Sequence, residues 1–167
     1  CLSLIKKNKI MRVVKISSLG LILLLLGLSN VIAQTPPPKY EFRAAWISTV
    51  MRIDWPSKAN LSSEKQKDEL IEILDLHKEH GLNAVIFQIR PAADAYYQSE
   101  YEPWTQWITD KQGTPPEPFY DPLAFVIEEA HKRNMELHAW CNPYRALVDT
   151  ARSKPCENHP IVKNPEW

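Results

Sequence analysis

The sequence is poor in the residues that mark several common kinds of site. It contains only three cysteines and four glycines among 167 residues. It has no C-x-x-C or H-E-x-x-H pattern, so we predict no metal site and no cofactor. No Gly-rich phosphate loop follows an apolar segment, and no G-x-S-x-G elbow indicates a serine hydrolase. Two cysteines, Cys141 and Cys156, remain after residue 34. They fit either one bridge or two free thiols, with Cys141 partly buried.

A basic cluster is also missing beyond the first 34 residues. The formal net charge of the chain is zero. Residues 1–34 contain Lys and Arg but no Asp or Glu, so the remainder is mildly acidic. A nucleic-acid-binding protein needs a concentration of positive charge, and we therefore exclude nucleic acid as the partner.

The N-terminus has the three parts of a secretory signal peptide. A basic stretch ends at Lys15, an apolar run covers Leu19–Leu28, and Val31–Ala33 forms a small-residue cleavage pattern. The run is shorter than the roughly 20 residues of a transmembrane helix. We therefore predict cleavage, a secreted or periplasmic protein and no stable membrane anchor. The predicted organisation is an upstream stretch plus signal peptide at 1–33 starting at Met11, a Pro-rich tether at 34–41, and a domain at 42–167.

Apolar segments and helical patterns alternate after the tether. Strands are predicted at Phe42–Val50, Leu82–Ile89 and Glu136–Cys141. A capping-box start at Ser63 predicts a first helix that ends at Gly81. Asp121 followed by Pro122 predicts a second helix, with Asn134 in the left-handed position after it. This order predicts parallel strands joined by right-handed crossovers.

We predict an α/β fold that forms the N-terminal part, about three βα units, of a (β/α)8 TIM-type barrel. A doubly wound sheet begins the same way, but the long polar insertion after strand two suits a barrel, which builds its site at the C-terminal ends of strands. A barrel needs about 250 residues. The chain is therefore expected to be a truncated segment of its domain.

Side-chain alternation divides each strand into two faces. In strand two, Val85, Phe87 and Ile89 are predicted to face the helices. The opposite set, which points into the barrel, becomes polar toward the C-terminal ends of strands two and three. It contains Gln88, Arg90, His138, Trp140 and Asn142. For strand one, both Trp46/Ser48 and Ile47/Thr49 fit the inward set.

The segments after the strands add aromatic, amide and charged side chains, which are suited to a saccharide. Rings stack on the apolar faces of sugars, and polar groups bind the hydroxyls. The predicted substrate-binding residues are Asp54, Trp55, Gln88, Arg90, Asp94, His138, Trp140, Asn142, Tyr144 and Arg145. Alternatives remain for three of them. Trp55 fits a loop anchor equally well, Arg90 fits an ion pair with Asp94, and His138 fits a core histidine.

Four long motifs resemble one known family, the glycosyl hydrolase-like 10 domain proteins of bacteria. They are RAAWISTVMRIDWPS (Arg43–Ser57), VIFQIRPAADAYYQSEYEPW (Val85–Trp104), ITDKQGTPPEP (Ile108–Pro118) and YDPLAFVIEEAHKRNMELHAWCNPYR (Tyr120–Arg145). The similarity covers nearly all of the chain after the tether and corresponds to the N-terminal part of the family's domain. The family commonly has Gly at the positions of Ala93, Asp110 and Asn134.

The resemblance implies an exported glycoside hydrolase that acts on a bacterial cell-envelope or related polysaccharide or oligosaccharide. Glycosidases usually use two carboxylates. In related barrels these tend to lie on strand four or later, so the catalytic residues are expected after Trp167 and none is assigned here. Asp54 and Asp94 are the best-placed carboxylates within the chain, and we assign them to substrate orientation or loop bracing. The alternatives are a non-catalytic carbohydrate-binding barrel and a metal-dependent polysaccharide-modifying enzyme.

Overall fold

The computed structural model describes residues 40–151 and 153–166. The predicted signal peptide, its Met11 start and nearly all of the Pro-rich tether lie outside these residues. Residues from Phe42 onward form one compact unit. Within the described ranges, no helix combines the length and the apolar character needed to cross a membrane.

Strands and helices alternate along the described chain, which makes the fold mixed α/β. In chain order the elements are β1 (Ala44–Ile47), a 3-10 turn (Val50–Arg52), α1 (Ser63–Glu79), β2 (Ala84–Arg90), α2 (Gln106–Thr109), α3 (Pro122–Lys132), β3 (Glu136–Cys141) and α4 (Pro160–Lys163). The predicted bounds of β3 are confirmed, and β2 is shifted toward its C-terminus by one to two residues.

β1 is shorter than the predicted Phe42–Val50. Its chain leaves the sheet at Ser48, because the backbone there bonds to side chains instead of to a neighbouring strand. The Ser48 amide donates to Asp54 at 2.7 Å, and the Thr49 amide donates to Gln88 at 3.0 Å. The strand therefore ends in a tight turn that brings Asp54 back beside it.

The three described strands form a parallel sheet in the order β1-β2-β3. One face packs on α1 and α3, and its contacts form the core. The core includes Ile47, Leu70, Leu74, Val85, Phe87, Val126 and Ala130. The predicted parity of β2 is confirmed, and for β1 the structure selects Ile47 as the helix-facing residue. Trp46 consequently lies on the opposite face.

The start of α1 is displaced by one residue from the prediction. Ser62, not Ser63, is the N-cap, and its hydroxyl accepts from the Lys65 amide at 3.4 Å. Gln66 does not return to the cap, since its side-chain oxygen accepts from the Tyr120 hydroxyl at 2.8 Å. The predicted capping box is therefore wrong, although the helix itself is confirmed.

The signals for α3 are confirmed. The Asp121 carboxylate accepts from the Ala124 amide at 2.9 Å, and Pro122 occupies the first turn. After α3, Asn134 adopts φ 53°, which matches φ 76° at Gly81 after α1. Both chain reversals thus use the left-handed conformation, which favours glycine and then asparagine.

Three non-glycine residues in the left-handed region stand at positions where the sequence resemblance leads us to expect Gly. They are Ala93 (φ 50°), Asp110 (φ 64°) and Asn134 (φ 53°). Asp110 follows α2, and its side chain is mostly exposed. These three positions therefore adopt the left-handed conformation without glycine, the residue that adopts it at the lowest cost.

We expect Asp110→Gly to raise the free energy of unfolding by about 0.5–1 kcal/mol, because glycine has no Cβ penalty at positive φ. Asp110→Ala should lower it by a similar amount. The variant Asp110→Asn is the control, since it removes the 3.8 Å ion pair with Arg52 but keeps a residue that tolerates this conformation. Urea unfolding measures all three. If Asp110→Asn is destabilised as much as Asp110→Ala, the ion pair and not the backbone conformation governs this position.

Candidate functional site

A network of polar side chains joins the C-terminal ends of β2 and β3. Arg90, the last residue of β2, binds both carboxylate oxygens of Glu102 through Nε at 2.7 Å. Its Nη1 donates to the backbone carbonyl of Asn142. The guanidinium therefore ties the excursion after β2 to the segment after β3. Its partner is Glu102, so the alternative pairing of Arg90 with Asp94 is wrong.

Trp140 and Asn142 extend this network at the end of β3. The Trp140 indole donates to the Asn142 side-chain oxygen at 2.8 Å, and the Asn142 amide group donates to the carbonyl of Pro91 at 3.0 Å. The Asn142 backbone amide also donates to the Arg90 carbonyl at 2.9 Å. We call Arg90, Glu102, Trp140 and Asn142 the strand-end network. Its hydrogen bonds fix the position of the Trp140 ring.

The sheet face opposite the helices is lined with aromatic rings. The Trp46 and Trp140 rings meet edge to face at 4.9 Å, and Phe42 meets His138 in the same way at 5.1 Å. Trp46 is 60% exposed, and half of the His138 side chain is exposed. His138 also contacts Glu136 at 3.1 Å. It is therefore half-exposed on this face of the described chain.

Gln88 holds the end of β1. Its side-chain oxygen accepts from the amides of Thr49 and Val50 at 3.0 and 2.9 Å, and the residue is fully buried. Its Nε2 has no hydrogen-bond partner among the described residues. The Asp54 carboxylate accepts from the Ser48 amide just after β1, and Asp54 is exposed. Asp54 is therefore available to solvent at the strand ends, whereas Gln88 braces the turn from inside.

Asp94 points into the interior and not toward the exposed surface. Only 2% of the residue is exposed, and its carboxylate accepts from the Ala92 amide at 3.1 Å and from Gln112 at 3.3 Å. Burial raises the pKa of the Asp94 carboxyl to about 6, against hydrogen bonds from Thr105, Gln112 and Ala92 that favour the charged form. It lines a cavity of about 10 Å³, which is about the size of one water molecule. Asp94 therefore braces the excursion, and the cavity is too small for a sugar.

Trp55 is a core residue. It is 0% exposed, its indole donates to the Gln66 carbonyl at 2.9 Å, and its ring packs against Phe87 and Tyr96. Its ring consequently anchors the β1–α1 segment and has no face left for a ligand. Of the two readings of Trp55, the structure favours the loop anchor.

The remaining predicted residues lie in the segment after β3. Tyr144 is 97% exposed, and Arg145 is also exposed. The structure thus groups the ten predicted residues into three sets: a network that includes Arg90, Trp140 and Asn142, exposed side chains at Asp54, His138, Tyr144 and Arg145, and buried braces at Trp55, Gln88 and Asp94. Cys141 is exposed, contrary to the expectation of partial burial, and Cys141 and Cys156 are both free thiols.

Two residues that organise this end of the sheet were not predicted. Glu102 binds Arg90 from 12 positions away, and no spacing in the sequence indicates that contact. His159 is fully buried, and its Nδ1 accepts from the Ile161 amide at the start of α4. Its Nε2 lies 3.3 Å from the Ala92 carbonyl, and burial lowers the pKa of the ring. The sequence did contain a signal that His159 caps a helix. His159 is followed by Pro160, as the N-cap of α3, Asp121, is followed by Pro122.

The described ranges contain no group of three His, Cys, Asp or Glu side chains placed to hold a metal ion.

Comparison with known proteins relates the chain to a described family and to curated relatives. A family model described as "Glycosyl hydrolase-like 10" matches residues 41–167. The chain is 54% identical over 128 residues to "Glycosyl hydrolase YngK" of Bacillus subtilis (strain 168), which covers 76% of this chain and 25% of that protein. It is 41% identical over 125 residues to "Glycosyl hydrolase DigH" of Escherichia coli (strain K12), covering 71% and 28%.

The chain spans about a quarter of the length of these curated relatives. The family match, in contrast, includes almost every described residue and both segments of the strand-end network. The chain therefore belongs to the glycosyl hydrolase-like 10 family.

Proposed function

We propose that this chain is the N-terminal part of an exported glycoside hydrolase on a (β/α)8-type barrel. Its substrate is a bacterial cell-envelope or related polysaccharide, and its place of action is outside the cytoplasm. Membership of a glycosyl hydrolase-like family and two relatives named glycosyl hydrolases support a glycosidase-like role. The parallel strand-helix order supports the barrel, and the basic–apolar–small pattern of residues 1–33 supports export.

The observation that carries the proposal is the position of the aromatic rings. Trp46 and Trp140 lie on one sheet face, and Trp140 is fixed by Asn142 at the C-terminal end of β3. Barrel enzymes build their sites at this end of their strands. The fixed indole and the exposed Tyr144 and Arg145, which follow it in the chain, supply a stacking surface and hydrogen-bond donors, which is the combination a sugar ring requires.

The described carboxylates are better suited to support than to bond cleavage. Glu102 is neutralised by Arg90, and Asp94 is buried beside a cavity of about 10 Å³. Asp54 is exposed at the strand ends and can orient a sugar hydroxyl. We therefore place the catalytic acid and its partner carboxylate in the part of the full-length protein that this chain does not span.

The test is the release of reducing ends from purified cell-envelope polysaccharide by the full gene product, with and without a chelator. Release that persists in the chelator supports a carboxylate-based hydrolase. Release that requires a metal supports the metal-dependent alternative instead. If the protein binds the polysaccharide but releases no reducing ends, the hydrolase proposal is wrong and a carbohydrate-binding barrel is supported instead.

Trp140→Ala in the full gene product is expected to weaken glycan binding by about tenfold, which corresponds to about 1.4 kcal/mol. The lost interaction is stacking on the indole, because the ring is only half-buried in the protein. Titration calorimetry with a soluble oligosaccharide that the wild type binds measures the effect. The melting temperature should fall by only a few degrees.

Trp140→Phe separates stacking from bracing. It keeps an aromatic face but loses the indole hydrogen bond to Asn142. We expect the Phe variant to bind within about threefold of the wild type. A large loss of stability with unchanged affinity in Trp140→Ala would assign this side chain to the core instead of to the ligand.

A further inference from the structure

A groove of about 300 Å³ lies beside the strand-end network. One side consists of the Ser99–Trp104 stretch and Gly113, all from the excursion after β2, and the other side consists of Asn158 and Lys163. The groove adjoins the network through Glu102, which lines the groove and also binds Arg90. Its volume is at the lower end of the range of ligand sites.

Two aromatic side chains give this groove apolar surfaces. Tyr101 is 84% exposed and makes no ring contact with another described residue. Trp104 is half-buried and is held edge to face by Phe119, with 6.2 Å between the ring centroids. Rings that combine an apolar face with a polar edge are suited to ligands that present both kinds of surface.

The charges along the groove balance. The Glu102 carboxylate is neutralised by Arg90. Glu100 and Lys163 add one carboxylate and one ammonium, and within residues 40–151 and 153–166 neither of them forms an ion pair. Asn158 and Ser99 supply neutral donors and acceptors. A lining without net charge suits an uncharged, hydroxyl-rich ligand better than a polyanion.

We propose that this groove binds a short uncharged stretch of a glycan. The proposal rests on the proposed function for its choice of a saccharide, but it concerns residues outside the strand-end network. Tyr101 and Trp104 stack on the pyranose faces, Glu100 accepts from ring hydroxyls, and Lys163 and Asn158 donate to ring or hydroxyl oxygens. Because Glu102 belongs to both surfaces, a glycan chain bound at the strand ends continues into the groove.

The test is titration calorimetry of the full gene product with chitotetraose, cellotetraose and tetragalacturonic acid. At least one of the two neutral tetrasaccharides is expected to bind, and Tyr101→Ala should weaken that binding by about tenfold. Tyr101→Phe keeps the ring and should remain within about threefold of the wild type. Lys163→Ala should cost about threefold, whereas the exposed Lys78→Ala, at the end of α1, should cost nothing.

Three results overturn the proposal. They are wild-type affinity in both Tyr101→Ala and Lys163→Ala, failure of both neutral tetrasaccharides to bind, and a preference for tetragalacturonic acid. Release of reducing ends, measured separately, distinguishes the groove from the proposed function. If the protein releases reducing ends and the groove variants bind normally, the groove proposal is wrong and the proposed function stands. If the groove variants bind more weakly but the protein releases no reducing ends, the groove proposal stands and the proposed hydrolase function is wrong.

Discussion

Replacing Arg90 with alanine is expected to lower the free energy of unfolding by about 3–5 kcal/mol, which is the usual cost of breaking a largely buried ion pair. Arg90 and Glu102 are each less than one-fifth exposed. Without the guanidinium, the Glu102 carboxylate stays in the protein with no cation beside it. The Asn142 carbonyl loses a donor at the same time. Urea unfolding measures the loss.

The geometry also predicts that lysine cannot replace this arginine. The guanidinium reaches both carboxylate oxygens of Glu102 and the Asn142 carbonyl together. An ammonium is a single compact charge without that planar fork. Arg90→Lys is therefore expected to recover only part of the loss, leaving a deficit of about 1–2 kcal/mol.

The control is a double variant. Arg90→Leu alone leaves an unpaired carboxylate, whereas Arg90→Leu combined with Glu102→Leu removes both charges. The double variant is expected to be more stable than the single one. The main cost in the single variant is the burial of an unpaired carboxylate, and the lost attraction between the two charges costs less. If Arg90→Ala changes the stability by less than 1 kcal/mol, water must reach Glu102 and the network does not hold the two segments together.

Features set by a few neighbouring residues were predictable from the sequence. Asp121 and Pro122 begin α3 because the capping groups are adjacent in the chain, and Asn134 ends it for the same reason. The faces of β2 follow from simple alternation. At α1 the predicted N-cap was wrong by one residue, because Ser62 and Ser63 are adjacent and either hydroxyl can cap a helix. The choice depends on the Pro118 carbonyl, which accepts from the Ser63 hydroxyl across 55 positions.

Partners across long loops were not predictable. Asp94 is four positions from Arg90 and was the obvious candidate, yet the pairing register shifts between Gln88 and Arg90, and Ala93 turns the chain at positive φ. Asp94 then points inward, and Glu102 takes its place. Nothing local distinguishes the buried Trp55 from an exposed one. The aromatic, amide and charged residue types that follow the strands were therefore readable from the sequence, but which of them face solvent depended on the fold.

Asp94→Asn is expected to gain stability relative to the natural chain as the pH rises. Burial raises the pKa of the Asp94 carboxyl to about 6 from its ordinary 3.8. The folded protein thus holds the proton more tightly than the unfolded chain does. The favourable contribution of this proton is complete below pH 3.8 and is lost as the pH rises through about 6.

The size of the effect follows from the separation of the two pKa values. At 1.36 kcal/mol for each pH unit between them, the ionised carboxylate costs about 3 kcal/mol above pH 6. The stability difference between Asp94→Asn and the natural chain should therefore shift by up to about 3 kcal/mol in favour of the variant between pH 4 and pH 8. Urea unfolding across this range measures the difference.

The titration itself can be followed at one atom. The chemical shift of the Asp94 carboxyl carbon should change with a midpoint near pH 6. Thr105→Val removes a hydrogen bond that favours the charged form, so it should move the midpoint to higher pH whatever it does to stability. Gln112, which lines the same small cavity, donates to the Asp94 carboxylate and likewise favours the charged form, so the midpoint measures burial against these donors. A midpoint near pH 4, with a stability difference that does not depend on pH, would mean that water reaches this carboxylate and that the excursion packs less tightly than its contacts require.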